Sequence, residues 1–325
     1  MANWREQFSV DPIPVLLAAD DEALQFFVRR DLLGEELASV KTLWDQSEPV
    51  KILSKQQEEG CWKYPSRKKA LPNENYNLLE TYRMLRILVE QYGFDRRRPA
   101  IEDAASYVFA HQTEEGDIRG MFGTEYAPHY TAWLMELLIK AGYADDPHIK
   151  RGFEWFLAMR QDDGGWAWPI RTVGVDYYEA QTDPEPTQPD RSKPFSHVLT
   201  GGILRAFAVH PVYSRDEGAL AAADLLKSRF FKADKYSDRR AVHYWTKFQY
   251  PFWWPNILTA LNSLSLMGFP RDDGDVETGL TWFVDNQAAH GLWENGYTVS
   301  TQEKHRQAKL WIGLAVCRIF KRWYG

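Results

Sequence analysis

Apolar residues recur along this chain in two kinds of helical run that alternate. The runs Tyr76–Tyr92 and His129–Ala141 are apolar over most of their circumference, whereas Pro99–Gln112 and His148–Arg160 carry one apolar stripe. A helix that is apolar all round is buried on every side, and a helix with one stripe lies outside. The alternation therefore predicts an inner and an outer ring of helices.

The same alternation of helical runs continues to the end of the sequence and extends back towards its start. Two further pairs follow at 196–209 with 217–231 and at 253–269 with 276–286, and the last helical run lies at 304–323. Short apolar runs within 12–58 add two or three helices. The count approaches six hairpins, so we predict an all-α (α/α)6 toroid. Residues 1–325 are expected to form one domain, in which 1–45 completes or caps the ring.

A short motif marks the end of several outer helices. Gln-x-x-x-Gly-x-Trp occurs at Gln56–Trp62 and Gln287–Trp293; Gln161–Trp166 is one residue shorter, and His111–Ile118 ends in isoleucine. A glutamine amide can tie the last carbonyls of one helix to the next segment, and glycine permits a left-handed turn. Tryptophan then covers the junction with apolar surface. We expect these residues to define the fold and not the chemistry.

Composition narrows the class of protein. The 325 residues have a formal net charge of −6. This charge does not indicate the basic surface with which proteins bind nucleic acid, so nucleic acid is not an expected partner. The two cysteines, Cys61 and Cys317, are too few for a disulfide framework and suit a reducing compartment. The start MANWREQFSV lacks the features of a signal peptide, and no apolar stretch has the length of a membrane span. A cytoplasmic protein is expected, with peripheral membrane contact and oligomeric state left open.

The glutamine–tryptophan motifs resemble those of a known superfamily. Gln56–Trp62, Gln161–Trp166 and Gln287–Trp293 are similar to the repeats of squalene cyclases, oxidosqualene cyclases and protein prenyltransferase β-subunits. The resemblance covers roughly residues 45–325 and implies the toroid. It also implies that a central cavity binds an apolar, isoprenoid-type ligand. The protein would then be either a binding protein or a cyclase or isomerase that converts this ligand by proton transfer. A fold does not fix a function, so the activity has to be inferred from individual residues.

Two activities of that superfamily have no counterpart in the residues. Protonating triterpene cyclases use an Asp-x-Asp-Asp acid, which is absent; the nearest run, Asp272–Asp275, falls at a helix start, where acidic residues act as caps. Prenyltransferase β-subunits hold zinc with an Asp-x-Cys sequence, and none occurs here. We therefore predict no metal and no cofactor.

Alignment of the inner helices suggests candidate catalytic residues. Setting Gly93 against Gly142 places Glu80 opposite His129, and a further shift brings His129 onto His197. Polar residues thus recur in the first turns of apolar helices, where burial without a partner costs free energy. We predict that Glu80, His129 and His197 line one mouth of the central cavity. The alternative for each histidine is a capped or core-satisfied side chain.

Two long irregular segments, 168–194 and 232–252, precede inner helices and are expected at that same mouth. Aromatic side chains are dense within 243–256. The predicted ligand-binding residues are Tyr130, Tyr244, Trp245, Trp253, Trp254, Asn256 and His305. Packing of a lid or of the core is the alternative for the aromatic residues. The basic stretch Lys63–Lys69 is expected to be a solvated loop, or a site for an anionic head group.

Two other functional classes fit the sequence. (α/α)6 barrels also process polysaccharides, for which Asp176 and Glu179, with tyrosines between them, are the candidate carboxylates. The third class is a non-enzymatic toroid that binds a lipid or a protein. The lining of the centre discriminates among them: an apolar pocket favours isoprenoids, an open groove favours glycans and a filled centre favours a scaffold.

Overall fold

The computed structural model describes residues 3–65, 73–181, 183–236 and 239–325. Within those ranges the chain forms helices and turns, and isolated bridges occur without any β-strand. Residues 66–69 of the basic stretch Lys63–Lys69 lie outside the described residues.

The helices follow one another in the order that the apolar pattern predicts. In the described chain they are α1 Ile13–Leu17, α2 Glu22–Phe27, α3 Ser47–Leu53, α4 Tyr76–Arg86, α5 Pro99–Phe109, α6 Pro128–Leu138, α7 Pro147–Ala158, α8 Pro169–Val173, α9 Tyr177–Ala180, α10 His197–Val209, α11 Glu217–Lys227, α12 Ile257–Met267, α13 Gly274–Asp285 and α14 Gln302–Tyr324. A wider helical turn extends α2, α4 and α6 over Val28–Leu33, Ile87–Gln91 and Ile139–Tyr143. Short 3-10 turns lie at Trp4–Gln7, Val40–Leu43, Tyr213–Arg215 and Val242–Thr246.

Inner and outer helices alternate around the ring. The inner helices α4, α6, α10, α12 and α14 pack on one another in that order, and α14 packs against α2 and its extension. Every residue of α6 is buried, whereas α13 buries four of its twelve residues on one stripe. Helices α1, α3, α5, α7, α11 and α13 alternate with them along the chain and form the outer ring. The predicted all-α toroid is confirmed.

The junction glutamines tie successive outer helices together. Each side-chain amide donates a hydrogen bond to a carbonyl at or near the start of another outer helix: Gln56 to Ala100 at 2.7 Å, Gln112 to His148 at 2.8 Å and Gln287 to Val10 at 2.7 Å. The last of these closes the ring, because Val10 precedes α1. The glycine of the motif lets the backbones approach: a Cβ on Gly60 would lie 2.3 Å from the carbonyl oxygen of Asp103.

The tryptophans complete each junction from the inside. Indole Nε1 donates at 2.8 Å to the carbonyl ten residues earlier in all three copies, Trp62 to Ile52, Trp166 to Phe156 and Trp293 to Phe283. The backbone amide at the tryptophan position also bonds to a threonine hydroxyl of the next inner helix: Trp62 to Thr81, Ile118 to Thr131 and Trp166 to Thr200. These threonines therefore mark equivalent heights on α4, α6 and α10.

The shortened motif has a different partner. Gln161 donates to the carbonyls of Asp190 (2.7 Å) and Lys193 (3.0 Å) instead of to an outer helix. The long segment that carries α8 and α9 is thereby fastened to the end of the ring at which the inner helices begin. That segment supplies part of the candidate site.

Candidate functional site

An apolar cavity of about 260 Å³ lies where α6 and α10 begin. We call it the aromatic cavity and define it by Phe122, His129, Tyr130, Trp133, Trp168 and Trp254. Helix α6 presents His129 and Trp133 one turn apart, and Trp168 and Trp254 come from the segments that precede α10 and α12. The long segments 168–194 and 232–252 both contribute to its wall, the first through Trp168 and the second through Tyr236, and Trp254 follows the second.

His129 is enclosed by aromatic rings. Ring centroids lie 4.5 Å away for Tyr130, 5.1 Å for Trp133, 5.7 Å for Phe122 and Trp168, and 6.1 Å for Trp254. The residue is 7% exposed, and its ring nitrogens have no hydrogen-bond partner among the described residues. An imidazole in such surroundings has only a ligand or solvent with which to bond.

Burial determines the protonation of the two polar groups in this wall. Loss of hydration lowers the pKa of His129 to about 3, so the ring is neutral at pH 7. Burial raises the pKa of the Tyr130 phenol, which therefore stays protonated. No carboxylate belongs to the described lining of this cavity. The described lining thus offers a neutral proton acceptor and a phenolic donor among π faces, without a carboxylic acid.

Two arginines, Arg171 and Arg239, belong to the lining of the aromatic cavity. The guanidinium carbon of Arg239 is 3.9 Å from the centroid of the Trp254 ring, and that of Arg171 is 5.9 Å from that of Trp168. Cations over indole faces are held by the ring quadrupole. The wall therefore combines aromatic faces with two guanidinium groups.

A segment of the chain itself crosses the middle of the ring. The carbonyl oxygen of Phe252 accepts a hydrogen bond from Arg86 Nη1 at 2.6 Å, and Trp253 packs on Tyr82 with centroids 5.5 Å apart. Tyr250 stacks on Trp311 of α14 with the rings 4° from parallel. Residues 250–253 therefore separate the aromatic cavity from the opposite end of the ring.

A second cavity of about 540 Å³ lies at that opposite end. Its lining comes from the inner helices or their extensions: α2, α4, α6, α10, α12 and α14. We call it the polar cavity and define it by Asp31, Glu90, Glu136, Lys140, Arg205 and Arg318. Arg205 Nη2 lies 2.7 Å from Glu136 Oε2, and both side chains are 4% exposed. Lys140 Nζ lies 2.7 Å from carboxylate oxygens of Glu90 and of Glu136.

The carboxylate of Glu136 is not a proton donor. Burial alone raises its pKa, but the positive charges of Arg205 and Lys140 outweigh burial and hold the pKa below its usual value. Asp31 is similar: burial raises its pKa, and Arg318 and Arg30 together bring it below the ordinary range. Glu136 and Asp31 are therefore ionised and paired.

Three of the residues predicted from the sequence lie together in the aromatic cavity: His129, Tyr130 and Trp254. Trp253 lies behind this wall, with its ring 6.2 Å from Tyr130 and 6.1 Å from Trp133. It also lies 5.0 Å from the guanidinium of Arg86. Trp253 therefore supports the wall from the central segment and does not face the cavity.

The structure places Glu80 and His197 elsewhere, so the predicted common register was wrong. The equivalent threonines, Thr81, Thr131 and Thr200, show a slip of one residue, which turns a helical side chain by about 100°. Glu80 pairs with Arg83 at 3.1 Å outside the lining. His197 stacks on Trp245 at 4.5 Å, with Nδ1 3.1 Å from Asp234 and too poorly aligned for a hydrogen bond.

The four other predicted ligand-binding residues also lie outside the aromatic cavity. Trp245 is a core residue whose Nε1 donates to the carbonyl of Lys232 at 2.9 Å, and Asn256 caps α12 through the Thr259 amide. Tyr244 is half-buried beside Arg239 and Lys247. His305 lies 3.5 Å from Glu294, on an open surface at the start of α14.

Three residues of the cavity wall were not predicted from the sequence: Phe122, Trp133 and Trp168. Trp133 had a usable signal, because it follows His129 by four residues and so lies on the same helical face. Phe122 and Trp168 lie in irregular segments, where periodicity predicts nothing. Their contribution depends on how those segments fold across the ends of the helices.

No group of three or more His, Cys, Asp or Glu side chains in residues 3–65, 73–181, 183–236 and 239–325 is arranged to hold a metal ion. None of the helices in those ranges combines the length and apolarity needed to cross a membrane.

The part of the chain that builds most of the aromatic cavity is similar to known cyclases. Residues 75–189 match the family described as the squalene-hopene cyclase C-terminal domain. The squalene-hopene cyclase of Schizosaccharomyces japonicus is 41% identical over 64 residues, which are 19% of this chain and 10% of that protein. A probable squalene–hopene cyclase of Sinorhizobium fredii is 27% identical over 139 residues, 42% of this chain and 20% of that protein. The resemblance to the terpenoid cyclase superfamily is confirmed.

Among solved structures, a variant of the type II terpene cyclase MstE from Scytonema, bound to its product merosterolic acid A, has a TM-score of 0.46 and 12% identity. That match covers 91% of this chain and 85% of the other. The matches in sequence span a fifth or less of the curated cyclases. Five of the six residues that define the aromatic cavity, all but Trp254, lie within the terpenoid cyclase-like segment 75–189.

Proposed function

We propose that the chain binds a small apolar, isoprenoid-type molecule in the aromatic cavity, with neutral His129 facing the ligand as a hydrogen-bond and proton acceptor. The observation that carries this proposal is the ring of aromatic side chains around an imidazole that has no described partner. Aromatic faces bind apolar ligands and stabilise positive charge near them.

Size restricts the ligand. A volume of about 260 Å³ corresponds to roughly nine atoms if each takes the ~30 Å³ of a water molecule in the liquid. A ten-carbon isoprenoid alcohol is matched to this space, whereas a thirty-carbon chain is too large to be enclosed. The hydroxyl group of such an alcohol can donate to the neutral imidazole.

The reaction that these residues support best is proton removal. Since His129 is neutral and the described lining has no carboxylate, the cavity is suited to taking a proton from a cationic ligand and not to protonating an alkene. Conversion of the ligand, as distinct from binding, rests on this acceptor.

The two alternative functions have weaker support. The carboxylate of Asp176 accepts from the backbone amides of Tyr178 and Glu179, as an N-terminal cap does. It is therefore engaged in holding α9 and does not face a second acid across a groove. The central segment fills the middle of the ring, which a scaffold requires, but the aromatic cavity beside it stays open.

The decisive experiment measures binding of geraniol by calorimetry, with squalene and maltotriose as the probes for larger isoprenoids and for glycans. At ten or eleven non-hydrogen atoms, a Kd on the order of 100 μM is expected for geraniol. Trp254→Ala, which removes one wall of the cavity, is expected to weaken binding at least about tenfold. Trp282→Ala is the matched control, because Trp282 packs on Phe248 away from the cavity.

Two results contradict the proposal: maltotriose binding more tightly than geraniol, or equal loss of binding in both tryptophan variants. A second measurement separates binding from conversion. Gas chromatography of geranyl diphosphate incubated with the wild-type chain and with His129→Gln tests for a C10H16 hydrocarbon, which forms when diphosphate leaves and the resulting cation loses a proton to His129. Unchanged geranyl diphosphate in the presence of intact geraniol binding leaves a binding protein and removes the proposed reaction.

A further inference from the structure

The polar cavity has an imbalance of charge at its outer end. Among its described lining residues, Lys140 and Arg205 are matched by Glu90 and Glu136 within ion-pair distance. The remaining arginines are Arg30, Arg318 and Arg322. Asp31 is the one carboxylate paired with that group, and it is shared by Arg30, at 2.6 Å, and by Arg318. The other lining carboxylate, Asp95, pairs with Arg97.

Among the described residues, Arg322 has hydrogen bonds but no carboxylate within ion-pair distance. Its Nε donates to the hydroxyl of Ser265 at 2.8 Å and its Nη2 to the amide oxygen of Asn262 at 2.5 Å, and both acceptors are neutral. The like charge of Arg318 is one helical turn away, and Asp31 is already paired with Arg30 and Arg318. The guanidinium of Arg322 is charged at pH 7, and an anion would supply the charge that it lacks.

The geometry makes these charges available to a ligand. Arg318 and Arg322 are one turn apart on the face of α14 that also carries Trp311 and Ala315 into the cavity. The side chain of Arg318 is 28% exposed and Arg322 is exposed at the open end. Guanidinium groups bind carboxylate and phosphate through paired N–H donors.

We propose that the polar cavity is an anion-binding site in which Arg318 and Arg322 hold the carboxylate or phosphate group of a small organic anion. Apolar side chains of the same lining, among them Phe252, Leu258 and Trp311, accommodate the rest of the ligand. The volume of about 540 Å³ holds roughly eighteen atoms of water size. This site is separate from the aromatic cavity and does not depend on the function proposed for it.

The test uses calorimetric titration of the full chain with benzoate, phenyl phosphate and benzyl alcohol at constant ionic strength. The two anions are expected to bind at least tenfold more tightly than the neutral alcohol, and the tighter of the two identifies the preferred acid group. Raising the salt concentration should weaken the anions and leave the alcohol unchanged. Equal affinity for benzoate and benzyl alcohol would overturn the proposal.

Two variants with opposite expected effects on anion binding extend the test. Arg322→Gln is expected to weaken anion binding about tenfold or more, because a charged hydrogen-bond donor is lost. Asp31→Asn is expected to strengthen it, because the carboxylate that competes for Arg318 is neutralised. Arg306→Gln is the matched control: Arg306 is on α14 too but pairs with Glu303 at 3.0 Å outside the cavity.

An unchanged Kd in folded Arg322→Gln contradicts the assignment, as does a loss of equal size in Arg306→Gln. If Arg322→Gln does not fold, the comparison of benzoate with benzyl alcohol and the effect of Asp31→Asn decide alone. Geraniol binding in Arg322→Gln is expected to match that of the wild type, so this proposal and the function proposed for the aromatic cavity can fail separately.

Discussion

The two cavities show how one set of helices produces two opposite environments. Along the inward face of α6, His129 and Trp133 face the aromatic cavity, and Glu136 and Lys140 face the polar cavity. His129 is buried without a charged partner and is therefore neutral, whereas Glu136 is buried with two cations and stays ionised. Burial alone removes charge, and burial with a partner preserves it.

The largest expected effect comes from breaking the ion pair of the polar cavity. Arg205→Met is expected to lower the free energy of unfolding by about 3–5 kcal/mol, because Glu136 then loses its closest buried cation. The double variant Glu136→Leu/Arg205→Met should recover most of that loss. Urea denaturation followed by circular dichroism measures both. A loss below about 1 kcal/mol in the single variant would show that the pair is solvated.

The aromatic cavity should be the end that responds to pH. The folded pKa of His129, about 3, is below the unfolded value of 6.5, so its contribution to stability is complete above pH 6.5 and is lost as pH falls towards 3. At pH 5 the expected loss is about 2 kcal/mol from this residue. His197, with a pKa of about 4, contributes a loss of similar size and sign.

His129→Phe is therefore expected to remove about half of the decline in stability between pH 6.5 and pH 5, as measured by urea denaturation at each pH. His290→Gln is the control, because the side chain of His290 is 44% exposed. An unaltered slope in His129→Phe would mean that His129 is solvated or has a partner.

The smallest effect is expected at Glu80, which lies in neither cavity. Its pair with Arg83 is half-buried, so Glu80→Gln should change the free energy of unfolding by less than about 1 kcal/mol. Geraniol and benzoate binding should both be unchanged, as calorimetry can show. A tenfold loss of geraniol affinity would restore Glu80 to the ligand-binding residues.

The fold could be predicted from the sequence because its determinants are local and repeated. Gln56 and Trp62 lie six residues apart, and the same spacing recurs at Gln287 and Trp293. The apolar circumference of α6 and the single stripe of α13 likewise belong to single helices. Each of these patterns spans only a short stretch of sequence, so it can be recognised without knowledge of the tertiary structure.

The site was only partly predictable because its members come from separate segments. His129 and Trp254 were identified, but Glu80 was misplaced by a register taken from Gly93 and Gly142, and His197 by an alignment of apolar stretches. The wider turn Ile139–Tyr143 contains Gly142, whereas Ile87–Gln91 ends before Gly93, so the two glycines are not equivalent positions on their helices. The imbalance at Arg322 depends on the distance between α14 and Asp31 of the extended α2, which no local pattern encodes.

The hydrogen bonds between Gln287 and Val10 join residues 277 positions apart. A ribosome that adds about 5–20 residues per second makes Gln287 roughly 15–55 seconds after Val10. During that interval α2 has no α14 to cover its apolar surface. Closure of the ring by these hydrogen bonds is therefore a late step, at which misassembly competes with folding.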